Sequence, residues 1–550
     1  MSAEHNMTDY EETRKRFSWE VPEYYNFALD EVDRHAEQTP EKIALISIDD
    51  SGEKVEKHTF KQLKDLSDRF AKGLVEMGIK KGDRVILLVH RLPEWYVALL
   101  GMIKLGVIPI PTPNLSVAKD IQYRVEQSEA NTIIADMPNH EKVDKVRSKL
   151  PSLKNHILVG GQAEGWTSYG DMMDNDSGEL ELSYKTKSDE PMIIYFTSGT
   201  TAYPKMVLHT HAYSLGHQVT AKFIQDLKPN DTIWAIADNG WAKTAWGKLF
   251  GQWIVGATVV QQNITGGFSA EKTLKILEEH HITVFCAPPT IYKMMINLDV
   301  DKYDLSSLRH TLSAGEPLNP DVIDKWEEYT GLRIYDYYGQ TESVALVGNY
   351  PCMEVKAGSM GKPTPGHFVE VVDEEGNIKP VEEEGHIAVK VKPERPPGIF
   401  KEYWKDEEKT GEVFHGDWYY TGDKAYKDED GYFWFVGRAD DVIKASGYRI
   451  GPFEVESALQ EHPAVMENAV IGAPDEIRGK VVKAYIILNK DYEPSEELKK
   501  ELQDHVKKVT APYKYPRLIE FVDELPKTIS GKIRRTELRD EAEKEFNEGK

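Results

Sequence analysis

Two segments far apart in the chain carry residue types suited to phosphate and carboxylate chemistry. The first is Tyr195-Phe196-Thr197-Ser198-Gly199-Thr200-Thr201-Ala202-Tyr203-Pro204-Lys205, an apolar run that opens into hydroxyls, one glycine and one ammonium. Gly199 tolerates the backbone angles that turn N–H groups outward, and Thr197, Ser198, Thr200 and Thr201 add hydroxyl donors. Lys205 adds a mobile positive charge. The set suits a triphosphate, although a plain Ser/Thr-rich surface turn has the same composition. It is not a P-loop, because Pro204-Lys205 stands where Gly-Lys-Ser/Thr is required. The second segment, Pro526-Lys527-Thr528-Ile529-Ser530-Gly531-Lys532, sets a lysine on a glycine turn near the C-terminus.

Between them lie candidates for a nucleotide and a metal. Ser313-Ala314-Gly315-Glu316-Pro317 and Asp336-Tyr337-Tyr338-Gly339-Gln340-Thr341-Glu342 each follow a strand-like run. Both should end at one sheet edge, where open α/β sheets bind ligands. Tyr337 can stack on a base and Asp336 can accept from an amino group, or both can be core. Glu342 is a hard oxygen ligand of the kind Mg²⁺ takes beside phosphates, or a carboxylate at a helix start. Asp423, in Tyr420-Thr421-Gly422-Asp423, can accept two ribose hydroxyls, and Arg438 offers a fork of donors. A Gly-Asp pair is also an ordinary turn.

The elements that must position these groups read as α/β. The 60–77 stretch has helical apolar spacing, and 84–89, 192–196, 283–287 and 333–337 read as buried strands. Alternating strands and helices predict mostly parallel layers. After about residue 355 short strands at 368–372, 386–391 and 432–436 predict a small β-rich barrel or sandwich. A further unit begins near Asp441, with a helix over 452–461 and strands at 469–471 and 484–488.

Bulk composition narrows the partners. The 550 residues predict several structural units, and 40% hydrophobic residues suffice for large cores. A net charge of −24 speaks against nucleic acid, so an anionic substrate must meet local positive charge. Two cysteines, Cys286 and Cys352, make neither a disulfide framework nor a cysteine-rich metal site. The early residues are polar, without a signal-peptide core, and no apolar run is long enough to span a membrane. These features predict a cytoplasmic protein.

Taken together, the ordered motifs resemble the adenylate-forming superfamily of acyl-CoA synthetases, adenylation domains and luciferases, over residues 24–538. The nearest resemblance is to medium-chain acyl-CoA synthetases, through Pro204-Lys205-Met206, Ser214-Leu215-Gly216, Gly339-Gln340-Thr341-Glu342, Ser446-Gly447-Tyr448-Arg449-Ile450-Gly451-Pro452 and Thr510-Ala511-Pro512-Tyr513-Lys514-Tyr515-Pro516-Arg517. The resemblance implies an N-terminal ATP- and acyl-binding domain over 1–437, a hinge at 438–440 on Asp440, and a C-terminal lid over 441–550. The implied fold is a large multi-layer α/β domain, two sheets plus a small β-barrel, with a small mobile α+β domain.

The implied reaction joins a short- or medium-chain carboxylic acid, branched and aromatic ones included, to CoA through an acyl-adenylate, using ATP and Mg²⁺, in fatty acid metabolism. By resemblance the 197–205 loop holds the β- and γ-phosphates, while Gly315, Glu316, Pro317, Asp336, Tyr337 and the adjoining Tyr338 to Gln340 strand end frame adenine. Thr341 meets the α-phosphate, Glu342 the metal, and Asp423 with Arg438 the ribose. Lys532 balances charge at the reacting carboxylate. Ser446, Gly447, Tyr448, Arg449, Arg478, Lys507 and Tyr515 match CoA contacts, Gly447 leaving room for the pantetheine arm. Loading of a carrier protein and non-catalytic nucleotide binding are the rival readings.

For the acyl group, acetyl-specific members place Trp where this chain has Gly339, which predicts room beyond acetate. Against that, Trp241 can cap the cavity and favour short, branched or aromatic acids, while Trp246 is equally well core. Ala202 replaces the family's usual glycine, a departure expected to stiffen the loop and leave a working enzyme.

Overall fold

The strands Pro191–Thr197 and His310–Ala314, from which two of the motifs leave, are buried along nearly their whole length. The computed structural model describes residues 5–174, 180–182, 184–197, 204–315, 318, 320–445, 448–475, 479–528 and 532–548, with only the backbone of 444, 448 and 449. The chain divides into two compact units: Met1–Val355 with Gly361–His367 and Val391–Glu412, and Lys356–Met360 with Phe368–Lys390 and Val413–Lys550.

The first unit holds a nine-stranded sheet with a parallel centre. Across it run Ile334–Gly339, His310–Ala314, Val284–Cys286, Thr232–Ala235, Thr258–Gln262 and Ile43–Ile48. Sequence order reverses between Thr232–Ala235 and Val284–Cys286, so the segments leaving those strands flank a crevice of the kind open α/β sheets use for ligands. A five-stranded parallel sheet is built on Arg84–Leu88 and Thr132–Asp136. The helix Phe60–Glu76 starts at a capping box, Thr59 and Gln62 exchanging backbone bonds, and packs Phe70, Ala71 and Leu74 into the core.

One expectation changes. The strand Pro191–Thr197 does not join a parallel layer; it pairs antiparallel with Lys205–Thr210. Its run of apolar residues reflects burial, and burial does not specify strand direction. The second unit has an antiparallel five-stranded sheet, including Trp418–Lys427 and Phe433–Arg438. It also has a three-stranded sheet, Val465–Asp475, Gly479–Leu488 and Leu518–Phe521, packed with the helices Pro452–Gln460, Glu496–Val509 and Arg535–Glu548. The architecture is α/β with several sheets, a half-barrel and a separate C-terminal domain.

Buried imidazoles make the fold acid-sensitive. Burial lowers His209 and His211 to about 3, lowers His156, His310 and His367 to about 4, and takes His217 well down. The unfolded chain binds protons near 6.5, before the folded one does, so their stabilisation is present above that pH and is lost as pH falls toward 4. Four buried carboxyls work the other way, Asp33 raised to about 6 and Glu31, Glu94 and Asp336 raised in direction. The histidines outweigh them, at about 1 kcal/mol each between pH 7 and 5.5. The urea midpoint is therefore expected to drop over that interval; an unchanged or raised midpoint contradicts this assignment.

Candidate active site

The hairpin places the two ends of the phosphate loop opposite each other, with Thr197 paired across the ladder to Lys205. Ser198, Gly199, Thr200, Thr201 and Ala202 lie outside the described residues. The Lys205 ammonium sits 4.7 Å from the centre of the Tyr403 ring. The Tyr403 hydroxyl donates to Glu342 Oε1 at 2.8 Å. This tyrosine comes from the two-residue strand Glu402–Tyr403, which pairs with Lys205–Thr210. One side chain thus touches both the loop lysine and the proposed metal carboxylate.

The backbone around Glu342 is fixed from two sides. The Thr341 carbonyl is bonded to the His209 ring at 2.8 Å, and the Glu342 carbonyl accepts from Phe400 N–H at 2.8 Å. Burial keeps His209 neutral, so one ring nitrogen can donate without carrying charge. Gln340 N–H donates to Ser343 Oγ at 3.0 Å, which closes the turn that carries Thr341 and Glu342. Among the described residues no cluster of three or more His, Cys, Asp or Glu could hold a metal alone. A half-buried single carboxylate fits a cation that takes most of its ligands from phosphates and water.

The adenine candidates do converge at one edge. The strands His310–Ala314 and Ile334–Gly339 are adjacent and parallel, with Ser313 beside Asp336 and Ala314 beside Tyr337. Gly315 has φ +99°, a turn that favours glycine. Glu316 and Pro317 lie outside the described residues. Tyr337 is buried, its hydroxyl 3.5 Å from Cys286 Sγ, whereas Tyr338 is only half-buried. Burial drives the Asp336 carboxyl well above the usual range, with the nearby Lys243 ammonium opposing. Lys243 donates to the Ala314 carbonyl at 2.8 Å.

The acyl segment leaves the strand Thr232–Ala235 at the crevice. Arg91 Nε and Lys248 Nζ both donate to the Ala237 carbonyl, at 3.1 and 2.8 Å. Asp238 accepts from Gly240 N–H at 2.9 Å. Gly240 lies against the Thr112–Pro113 backbone, where a Cβ would come within 2.1 Å of Pro113 N. Trp241 is half-buried. Trp246 is buried, and a Cβ at Gly339 would lie 2.9 Å from its ring and 2.5 Å from the Val344 carbonyl. On its Cβ side Gly339 is thus closely packed by the Val344 carbonyl and the Trp246 ring. The sequence motif could not reveal this, because it depends on which face of the 243–247 helix meets the strand.

In the second unit, Asp423 and Arg438 face each other on paired strands, Arg438 Nη1 3.3 Å from Asp423 Oδ1. Asp440 is exposed, and its carbonyl accepts from Arg539 at 3.3 Å. Lys532 is exposed; its N–H donates to Thr528 Oγ1 at 3.1 Å, and Thr528 N–H returns a bond to its carbonyl at 2.7 Å. Lys507 is ion-paired to Asp504 at 2.8 Å and lies 4.4 Å over the Tyr515 ring. Tyr448 and Arg449 are described by backbone only, in the strand Tyr448–Ile450; Ser446, Gly447 and Arg478 lie outside the described residues. Sequence reasoning missed Tyr403 and His209, which reach the site on paired strands, and Lys243, which reaches it from the start of the helix Lys243–Gly247.

The AMP-binding enzyme family matches residues 32–404, and the AMP-binding enzyme C-terminal domain matches residues 454–532. The chain is 47% identical over 544 residues to the human mitochondrial acyl-coenzyme A synthetase ACSM3, covering 97% of this chain and 92% of that protein. It is 45% identical to human mitochondrial ACSM4 over 532 residues, covering 95% and 91%. Among solved structures it superposes on the anthranilate CoA ligase AuaEII in complex with anthranoyl-AMP with a TM-score of 0.86, at 34% identity over 95% of this chain and 98% of that one. A benzoate CoA ligase from Burkholderia xenovorans gives 0.81 at 30% identity, covering 94% and 100%. The expectation of a cytoplasmic location is corrected by these relatives, which are named as mitochondrial; a polar N-terminal composition separates neither compartment from the other. Among the described residues no helix is long and apolar enough to cross a membrane. The chain belongs to the AMP-binding enzyme family, and within it to the acyl-CoA synthetases, the AMP-forming acid–CoA ligases.

Proposed function

We propose that this ligase acts on short- to medium-chain acids, branched and aromatic ones included, and that Trp246 sets its optimum among the shorter and more compact of them. The observation that carries the proposal is Trp246, a buried indole that lies against Gly339. The ligases for anthranilate and benzoate are likewise named for compact acids. In the first half-reaction a carboxylate oxygen bonds to the α-phosphorus of ATP and pyrophosphate leaves. In the second the CoA sulfur bonds to the acyl carbon and AMP leaves.

Roles for the residues follow the chemistry of each group. Thr197 and Lys205, with the loop between them, take the β- and γ-phosphates. Thr341 is assigned to the α-phosphate. Tyr338, the less buried of the two tyrosines, is the ring assigned to adenine, and Asp336 its hydrogen-bonding partner. Asp423 takes the ribose hydroxyls and Arg438 steadies that carboxylate. Glu342 would hold Mg²⁺, which when bound neutralises phosphate charge. Lys532 offers an ammonium to the charge that builds between carboxylate and α-phosphate. Gly447, with Arg449, Arg478, Lys507 and Tyr515, is assigned to CoA, and Asp440 to a hinge.

AMP release with Mg-ATP and CoA tests this across acetate, butyrate, 2-methylbutyrate, hexanoate, octanoate and benzoate. A maximum at 2-methylbutyrate, butyrate or benzoate supports the proposal; a maximum at octanoate refutes it. Trp246→Ala is expected to move the optimum to longer acids. Each methylene newly buried adds about 0.8 kcal/mol, or roughly fourfold in kcat/KM. An unchanged ranking would return Trp246 to the role of core residue.

A further inference from the structure

The helix Ala118–Ser128 touches both arms of the hairpin that carries Thr197 and Lys205. The Tyr123 hydroxyl donates to the Pro204 carbonyl at 3.2 Å, one residue before Lys205. Its ring meets Phe196, one residue before Thr197, edge-on with centres 6.2 Å apart. The next residue, Arg124, lays its guanidinium 4.4 Å from the centre of the same Phe196 ring. The end of the helix is tied to the neighbouring strand as well, since Lys405 pairs with Glu129 at 2.6 Å and Trp404 N–H donates to the Met206 carbonyl at 2.8 Å.

Arg124 is a buried charge without a counter-charge. It is 4% exposed, forms no ion pair among the described residues, and its Nε and Nη1 have no hydrogen-bond partner. The carboxylate one turn earlier, Asp120, accepts from Val117 N–H at 3.0 Å at the helix start. Burial lowers the Arg124 guanidinium to about 10, which leaves it charged at neutral pH. Such a cation destabilises a protein unless an anion comes near, and the face of Phe196 offsets part of that cost.

We propose that Arg124 is a positioning residue for ATP: it fixes the Phe196 arm of the hairpin and, through the low-dielectric interior, adds attraction for the β- and γ-phosphates. Tyr123 fixes the opposite arm through Pro204. The proposal rests on the assignment of those two phosphates to Thr197 and Lys205, and goes beyond it by naming a cation that lies outside the loop. The α-phosphate is assigned elsewhere, to Thr341, so Arg124 should act on ATP and pyrophosphate and spare AMP.

Rates of AMP formation with Mg-ATP, CoA and butyrate supply the test, with pyrophosphate and AMP as inhibitors. Arg124→Met removes the charge at similar length and is expected to raise KM for ATP and the inhibition constant of pyrophosphate about tenfold, with AMP and butyrate within about twofold of wild type. Without nucleotide its urea midpoint should equal or exceed the wild type's, because an apolar side chain relieves an unpaired buried charge. The rise of that midpoint on adding Mg-ATP should shrink. Arg124→Lys keeps the charge and should recover most of the pyrophosphate affinity. Tyr123→Phe should weaken ATP and pyrophosphate about threefold. Arg124→Gln gives the same readings if the Met variant does not fold. Lys205→Gln is the reference. If it weakens pyrophosphate and Arg124→Met does not, or if Arg124→Met weakens AMP and pyrophosphate equally, the role of Arg124 is overturned. If Lys205→Gln itself leaves pyrophosphate unaffected, the phosphate assignment of the hairpin falls.

Discussion

Lys532→Ala is expected to lower acid-dependent ATP–pyrophosphate exchange by at least about 100-fold, while thioester formation from supplied acyl-adenylate and CoA stays within a few-fold of wild type. The asymmetry follows from the charges. In the first half-reaction an anionic carboxylate approaches an anionic phosphate, and an ammonium that balances them lowers the barrier directly. In the second a thiol displaces AMP from a carbonyl, and that charge problem is absent. The alternative role, a structural lysine, predicts that both halves fall together. Structural damage should be small, because the side chain is exposed and the bonds of Lys532 to Thr528 use its main-chain N–H and carbonyl. Lys532→Arg is expected to recover little, since a planar fork cannot replace a point charge. Equal losses in both half-reactions would remove Lys532 from the chemistry.

Glu342→Gln is the second large effect, expected at about 100- to 1000-fold in exchange rate, with a rise in the Mg²⁺ concentration needed for half-maximal rate. The substitution keeps size and an acceptor oxygen, so the bond from Tyr403 can persist and the fold should hold. What it removes is the negative charge that a hard cation requires. Tyr403→Phe should produce a milder version, about tenfold, because it keeps the ring beneath Lys205 and removes only the hydroxyl on Glu342. An unchanged Mg²⁺ dependence in Glu342→Gln would assign that carboxylate to structure.

Much of this site is legible in the sequence because strands announce themselves by burial. The 60–77, 84–89 and 192–196 readings correspond to Phe60–Glu76, Arg84–Leu88 and Pro191–Thr197. The adjacency of the 313–315 and 336–342 motifs follows from two neighbouring parallel strands. What is not legible depends on pairing. Glu402–Tyr403 is too short to show periodicity, yet its ladder with Lys205–Thr210 delivers Tyr403 to Glu342. The antiparallel turn of the phosphate hairpin is invisible for the same reason. The missing side chain of Gly339 is visible in a sequence, and the Trp246 ring packed against it is not.

Gly240 has a consequence for how acyl preference can change over generations. Its backbone lies against Thr112 and Pro113 so closely that no side chain fits without moving main chain. Two side-chain donors, Arg91 and Lys248, hold the Ala237 carbonyl just before it. The wall of the proposed acyl pocket therefore combines a tightly packed backbone with a few replaceable side chains. Drift to a new acid is channelled into positions 241 and 246, where one substitution can alter depth while the catalytic strand ends stay in register. A directed library confined to those two positions should yield active enzymes of altered preference far more often than one that includes position 240.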